Sequence, residues 1–219
     1  MEQDQKKRAV AEAALAYLGD ATVIGVGTGS TVECFIQVLS ESDHEIRAAV
    51  SSSEATSKRL TEIGIKLLDL SDVGSLSVYI DGADEATRQK QLIKGGGGAL
   101  TREKIIAAVS RQFICMIDDS KLVDRLGCFP LPVEVVPLAQ RLVQEQIVSE
   151  CGGRPVLREG FTTDNGNVIL DVHDLAIDQP VQLEEELNQI TGVVANGLFC
   201  RRPADLLLMA SNADVVVIG

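Results

Sequence analysis

Two acidic segments and two glycine-rich segments carry most of the chemistry this chain can offer. The run Lys94-Gly95-Gly96-Gly97-Gly98-Ala99-Leu100-Thr101-Arg102-Glu103-Lys104 places four bare peptide groups between an ammonium and a carboxylate. A helix-forming stretch follows the glycines, so their N–H groups fall near a helix start, where an anion or oxyanion is stabilised. If that helix begins near Ala99, Glu103 lies about one turn inside it. A solvated Glu103 between Arg102 and Lys104 is the plainer alternative on spacing alone. The first acidic segment, Asp81-Gly82-Ala83-Asp84-Glu85, follows the apolar Val78-Tyr79-Ile80. Two carboxylates three residues apart can share one site and split its acid and base roles. An Asx turn is the competing account.

Two further loops complete the candidates. Gly25-Val26-Gly27-Thr28-Gly29-Ser30-Thr31 combines backbone that a ligand can approach with hydroxyl donors at a helix start. It departs from a dinucleotide fingerprint, because Ser30 stands where a third glycine belongs. The next strand also runs into Ser51-Ser52-Ser53 rather than an acidic residue, which argues against NAD and adenosylmethionine. A tight strand-to-helix turn is the alternative here. The fourth loop is Asp118-Asp119-Ser120-Lys121, whose lysine is either a phosphate ligand or an ordinary surface cation.

The elements that must position these loops alternate through the first half. Strand-like runs cover 22–26, 46–50, 65–70, 77–80 and 113–117; helical patterns cover 5–18, 31–39, 54–63 and 99–110. Such alternation predicts an open, mostly parallel Rossmann-like sheet with helices on both faces, binding ligands at the carboxyl ends of its strands. After Gly127 the order becomes strand 131–136, helix 138–150, strands 155–158 and 168–172, helix 181–190 and strand 193–199. That β-α-β-β-α-β order predicts a ferredoxin-like α+β domain over 129–201. Residues 204–209 and 215–218 read as strands returning to the first domain, which then spans 1–128 plus 202–219.

Composition limits the function classes. The chain has 219 residues, 45% hydrophobic but only 3% aromatic, as suits buried aliphatic strands rather than base-stacking surfaces. A net charge of −12 disfavours nucleic acid and anionic membrane as partners. The five cysteines form no C-x-x-C pair, and His44 and His173 stand apart from them, so a metal site is not expected. With no signal-like leader and no apolar run of membrane-spanning length, a cytoplasmic protein with free thiols is expected.

Taken together, seven stretches resemble A-type ribose-5-phosphate isomerases: VGTGST at 26–31, SSSEAT at 51–56, DGADE at 81–85, KGGGGALTREK at 94–104, DDSK at 118–121, FPLPVEV at 129–135 and TDNGNVILD at 163–171. The resemblance implies interconversion of ribose 5-phosphate and ribulose 5-phosphate through a cis-enediolate, in the pentose phosphate pathway, with no metal or cofactor. It implies Glu103 as the proton-transferring base, and Asp81, supported by Asp84, in ring opening and proton handling at oxygen. Lys94 and the amides of Gly95, Gly96 and Gly97 would meet enediolate oxygens. Thr28, Gly29, Ser30, Thr31, Gly82, Ala83 and Lys121 would bind substrate, with Ser30, Thr31 and Lys121 at the phosphate and Lys7 adding charge. The implied partner is a small sugar phosphate, not nucleic acid or membrane, and the implied assembly is a homodimer or tetramer. A non-catalytic sugar-phosphate sensor is the rival reading; it would need the phosphate loops but neither Glu103 nor Asp81.

Overall fold

The computed structural model describes residues 1–219. In chain order its first elements are α1 (Gln3–Leu15), β1 (Val23–Val26), α2 (Ser30–Ser40), β2 (Ala48–Ser51), α3 (Glu54–Glu62), β3 (Lys66–Leu67), α4 (Leu70–Val73) and β4 (Leu76–Gly82). Two short strands, β5 (Glu85–Ala86) and β6 (Leu92–Ile93), precede α5 (Leu100–Val109) and β7 (Ser110–Asp118). Next come β8 (Leu131–Val135), α6 (Gln140–Gln146), β9 (Arg154–Leu157), β10 (Val168–His173), α7 (Pro180–Gln189) and β11 (Val193–Asn196). The chain ends with β12 (Leu198–Phe199), β13 (Leu206–Ala210) and β14 (Val215–Ile218). None of the helices is long and apolar enough to cross a membrane.

Contacts divide the chain into two compact units: Met1–Ala83, Arg102–Leu122 and Ala204–Gly219 in the first, Asp84–Thr101 and Val123–Pro203 in the second. The sequence pattern had grouped 84–101 with the first domain; by contacts this segment packs with residues 123–203.

The first unit is built on a seven-stranded sheet in the order β14-β13-β7-β4-β1-β2-β3. All its pairings are parallel except the edge pair of β13 with β14. This is the open, mostly parallel sheet that the alternating pattern predicted. Burial of β1, β4 and β7 on both faces explains their aliphatic runs, and Ile24, Val26, Val78, Ile80, Ile114 and Met116 join Phe35 and Leu60 in one core. The strand expected over 65–70 is shorter, because Asp69 caps a turn of helix through the amide of Ser71.

The second unit carries a four-stranded antiparallel sheet in the order β11-β8-β10-β9. With α6 and α7 between its strands this is the ferredoxin-like arrangement expected from sequence. Val133, Val135, Leu170 and Val172 meet Val143, Ile147 and Leu187 in its core. A separate three-stranded sheet, β12-β6-β5, was not legible, since two of its strands sit in polar surroundings and each has two residues. The single strand expected over 193–199 is divided at Gly197, which donates its N–H to Pro132 O at 2.8 Å and accepts at its carbonyl from Lys94 N at 2.9 Å. A Cβ at Gly197 would overlap the Lys94 carbonyl, so only glycine lets the chain pass from one sheet to the other there.

Candidate active site

In the first unit, parallel register brings four loops to one edge of the sheet. Val26 pairs with Ser51 and with Ile80, and Gly82 pairs with Met116. The segments that follow β1, β2, β4 and β7 therefore emerge together at the strands' carboxyl ends. Asp81 is fully buried there, at the end of β4. Its Oδ1 accepts from the amides of Thr28 at 3.1 Å and Gly82 at 2.7 Å, and its Oδ2 accepts from the Tyr79 hydroxyl. Three donors leave this carboxylate a single orientation. Gly27 is required by that arrangement, because a Cβ on it would overlap the Asp81 carboxyl group.

Thr28 is held from behind by hydroxyls. Its Oγ1 donates to Ser53 Oγ at 2.6 Å and lies 2.9 Å from Ser52 Oγ and 3.1 Å from Thr56 Oγ1. Thr56 Oγ1 in turn donates to Gly27 O at 2.8 Å. The serine run that counted against a nucleotide thus has a role of its own, one that no local pattern announces. Gly29 opens α2 with φ +116°, and Ser30 and Thr31 form its first turn. Thr31 lies over Gly82, its Cβ 3.8 Å from where a Gly82 Cβ would be. Ser30 and Lys7 line one cavity of about 370 Å³, whose wall also includes Asp4, Glu33 and Glu62. Lys121 closes a 3-10 turn after β7 that Asp118 caps by accepting the Ser120 amide at 2.9 Å. Lys6 pairs with Asp119 at 2.6 Å, a hydrogen bond that lowers the Asp119 carboxyl below its usual range.

Glu103 is buried, with 3% of its surface exposed, although it sits in a charged run. Its neighbour Arg102 turns outward to Glu54 at 2.9 Å. The signal was present in the sequence: Ala99, Leu100, Ile106 and Ala107 occupy the flanking helical positions, and all four are buried. The helix carrying Glu103 comes close to β1, where a Cβ at Gly25 would stand 2.8 Å from Ile106 and 2.9 Å from Tyr79. Burial first, and then the negative charges of Asp81 and Glu103, push the Tyr79 hydroxyl well above the ordinary tyrosine value. Tyr79 therefore stays protonated and donates to Asp81. Ala83, half-buried, ends the first segment of this unit.

The remaining candidates belong to the second unit. β5 pairs with β6 so that Glu85 faces Ile93, and the Asp84 amide donates to Ile93 O at 2.9 Å. Lys94 is 2% exposed, with its Nζ 5.6 Å from the centre of the Phe199 ring. Gly96 donates its N–H to Asp84 Oδ2 at 2.8 Å, so this amide already has a carboxylate acceptor. Gly95 is buried, whereas Gly96 and Gly97 are exposed. Gly98 has φ +79° and donates back to Gly95 O at 2.9 Å, closing a tight turn. Glu85, beside these groups, is structural: it accepts the amides of Gly127 at 2.7 Å and Phe129 at 2.5 Å.

No cluster of three or more His, Cys, Asp or Glu side chains is arranged to hold a metal ion. The first unit thus holds a fixed carboxylate and a buried carboxylate on a helix, groups of the kind that move protons; the second holds a buried lysine and exposed glycine amides, groups of the kind that stabilise an oxyanion.

The sequence profile of the family described as Ribose 5-phosphate isomerase A (phosphoriboisomerase A) matches residues 48–214. The chain belongs to this family. Among solved structures, ribose 5-phosphate isomerase A from Neisseria gonorrhoeae is 48% identical, covering 99% of this chain and 96% of that one, with a TM-score of 0.96. The Methanocaldococcus jannaschii ribose 5-phosphate isomerase A is 37% identical over 99% of both chains, at a TM-score of 0.91. A D-ribose-5-phosphate isomerase solved in complex with phospho-erythronic acid is also 37% identical over 99% of both chains, at 0.93. Family membership agrees with the expectation drawn from the seven sequence stretches.

Proposed function

We propose that the chain interconverts D-ribose 5-phosphate and D-ribulose 5-phosphate, with Glu103 as the base that carries the proton between C2 and C1. The observation that carries this assignment is the burial of Glu103 inside a charged helical run, in a chain of this family. A carboxylate is taken out of water at a cost, and a site that uses it chemically is a common reason for bearing that cost.

In the proposed reaction Asp81, fixed by its three donors, assists opening of the sugar ring and handles protons at oxygen, with Asp84 supporting it. Glu103 takes the C2 proton of the open aldose, and the electron pair forms the C1=C2 bond of an enediolate. Lys94 and the glycine amides stabilise the negative oxygens. Because the Gly96 amide is occupied by Asp84, the exposed Gly97 amide is the stronger donor candidate. Glu103 then returns the proton to C1 while a proton passes from O2 to O1, with Asp81 handling it, leaving the ketose. Thr28, Gly29, Ser30, Thr31, Gly82, Ala83, Gly95 and Lys121 bind the substrate, Ser30, Thr31 and Lys121 at its phosphate. We further propose that the enzyme works in the cytoplasm as a homodimer or tetramer.

A coupled assay with ribose 5-phosphate, run with chelator present, tests the reaction. Glu103→Gln should retain substrate binding while turnover falls by roughly 10²- to 10⁴-fold. Near-normal turnover in that variant would sink the assignment of the base. A non-catalytic sensor would bind the sugar phosphate and leave it unchanged in the same assay.

A further inference from the structure

The glycine run is held from behind by a side chain more than sixty residues away. Arg158 follows β9, and its Nη1 donates to the carbonyl oxygens of Gly95 at 3.2 Å and Gly96 at 3.1 Å. Its Nε and Nη2 donate to the two carboxylate oxygens of Asp171, at 2.8 and 2.5 Å. The guanidinium also lies 5.3 Å from the centre of the Phe161 ring. That ring occupies the space a Cβ at Gly98 would need. The Arg158–Asp171 pair is mostly buried, with side chains 18% and 21% exposed. Carboxylate, ring and two carbonyls together leave the guanidinium no second orientation.

Peptide planarity turns this clamp into a statement about the opposite side of the loop. The Gly95 carbonyl and the Gly96 N–H belong to one peptide group, the Gly96 carbonyl and the Gly97 N–H to the next. In a trans peptide the two ends point in opposite directions. With both carbonyls engaged by one cation, both N–H groups are directed away from it. The first is taken by Asp84. The second belongs to exposed Gly97. A cation on the carbonyl also draws electron density from its amide and makes that N–H a stronger donor.

We propose that Arg158 is a positioning residue of the isomerisation, fixing and polarising the Gly96–Gly97 peptide so that the Gly97 amide meets an enediolate oxygen. Asp171 is its anchor. This inference rests on the isomerase reading. Lysine cannot replace the arginine fully, because a point charge cannot bridge two carbonyls and grip both oxygens of Asp171.

The test compares wild type with Arg158→Ala, Arg158→Lys and Asp171→Asn. The readouts are kcat, KM for ribose 5-phosphate and the inhibition constant of phospho-erythronic acid. The carboxylate of that acid presents two coplanar oxygens that share a negative charge, as the enediolate does with one oxygen on each of two adjacent planar carbons, whereas the aldose does not. Arg158→Ala should lower kcat about tenfold and weaken the acid by a similar factor, with KM changed less than about twofold. Arg158→Lys should recover only part of the loss, and Asp171→Asn should show a smaller loss of the same kind. The proposal is overturned if kcat and inhibition stay within about twofold of wild type. It is equally overturned if KM and inhibition weaken by one common factor, the mark of a general binding role. Should Arg158→Ala fail to fold, the other two variants are judged by the same criteria. A wild-type protein that leaves ribose 5-phosphate unchanged would overturn the isomerase reading and this inference together; an active wild type with unaffected variants overturns this inference alone.

Discussion

Asp81 and the glycine run are both held in single conformations, but by different means. Asp81 is fixed by its own sheet: Tyr79 two residues before it, Gly82 one after it, and Thr28 on the adjacent strand's loop. The glycine run has almost no neighbours of that kind. Its carbonyls are gripped by Arg158, its turn is covered by Phe161, and Thr101, in the first turn of the helix beyond it, donates to buried Glu134. Glu134 also accepts from Thr163 at 2.8 Å, Asn165 at 3.1 Å and Asn167 at 2.8 Å, which ties the 158–167 loop to the same helix start. Parallel strands deliver the first site through backbone register. The second, being bare backbone, has no side chains with which to hold itself and relies on those of a distant hairpin.

The comparison predicts different failures. Gly27→Ala forces a Cβ into the Asp81 carboxylate and should displace it by about an ångström, lowering kcat roughly 100-fold with little change in melting temperature. If kcat stayed within a few-fold, Asp81 would not need its fixed position. Glu134→Ala should act the other way round. It strands four donors, those of Thr101, Thr163 and Asn167 buried or half-buried, costing about 3 kcal/mol, or roughly 6–12 °C in melting temperature for a chain this long. Its kcat should fall by no more than about tenfold, and Glu134→Gln should recover part of the stability. A thermal melt unchanged by Glu134→Ala would remove the contrast between the two regions.

Smaller effects sharpen the first region. Thr56→Val deletes the hydroxyl that holds Gly27 O and supports Thr28, and should raise KM a few-fold through a net loss of about 1 kcal/mol. An unchanged KM would show that the hydroxyl cluster is dispensable for substrate binding. Tyr79→Phe gives the subtlest signature. Because the folded hydroxyl titrates above its unfolded value, this residue stabilises the fold fully below about pH 10, and that contribution is lost as pH rises beyond it. The phenylalanine variant should therefore lose less stability than wild type between about pH 10 and 11. Parallel alkaline melting curves for the two proteins would contradict this.

The same difference explains what the sequence disclosed. The parallel sheet was legible because β1, β4 and β7 are continuous aliphatic runs ending in glycine or aspartate, and the ferredoxin-like sheet because its strands and helices keep their periods. β5 and β6 were not, since two-residue strands have no period to read. Asp81, Lys94 and the glycine loops stood out through local composition. Glu103 drew notice only as a charge beside the glycines and by resemblance, though its apolar flanks marked it as buried. Arg158 left no trace, and Glu134 and Thr56 appeared only inside stretches that carry the resemblance, with no role read for them, because each acts on residues 28 to 63 positions away and looks like an ordinary polar residue where it stands.

Gly197 limits how this chain can vary in length. The residue is shared: its amide serves Pro132 beside one sheet and its carbonyl serves Lys94 beside another. Leu198 faces Ile93 and Phe199 faces Leu92 in consequence. One residue inserted after 197 would exchange the faces on which these side chains lie and carry the aromatic ring away from the Lys94 ammonium. Loops elsewhere on the molecule can lengthen during evolution or engineering; between β11 and β12 the spacing is effectively a fixed gauge.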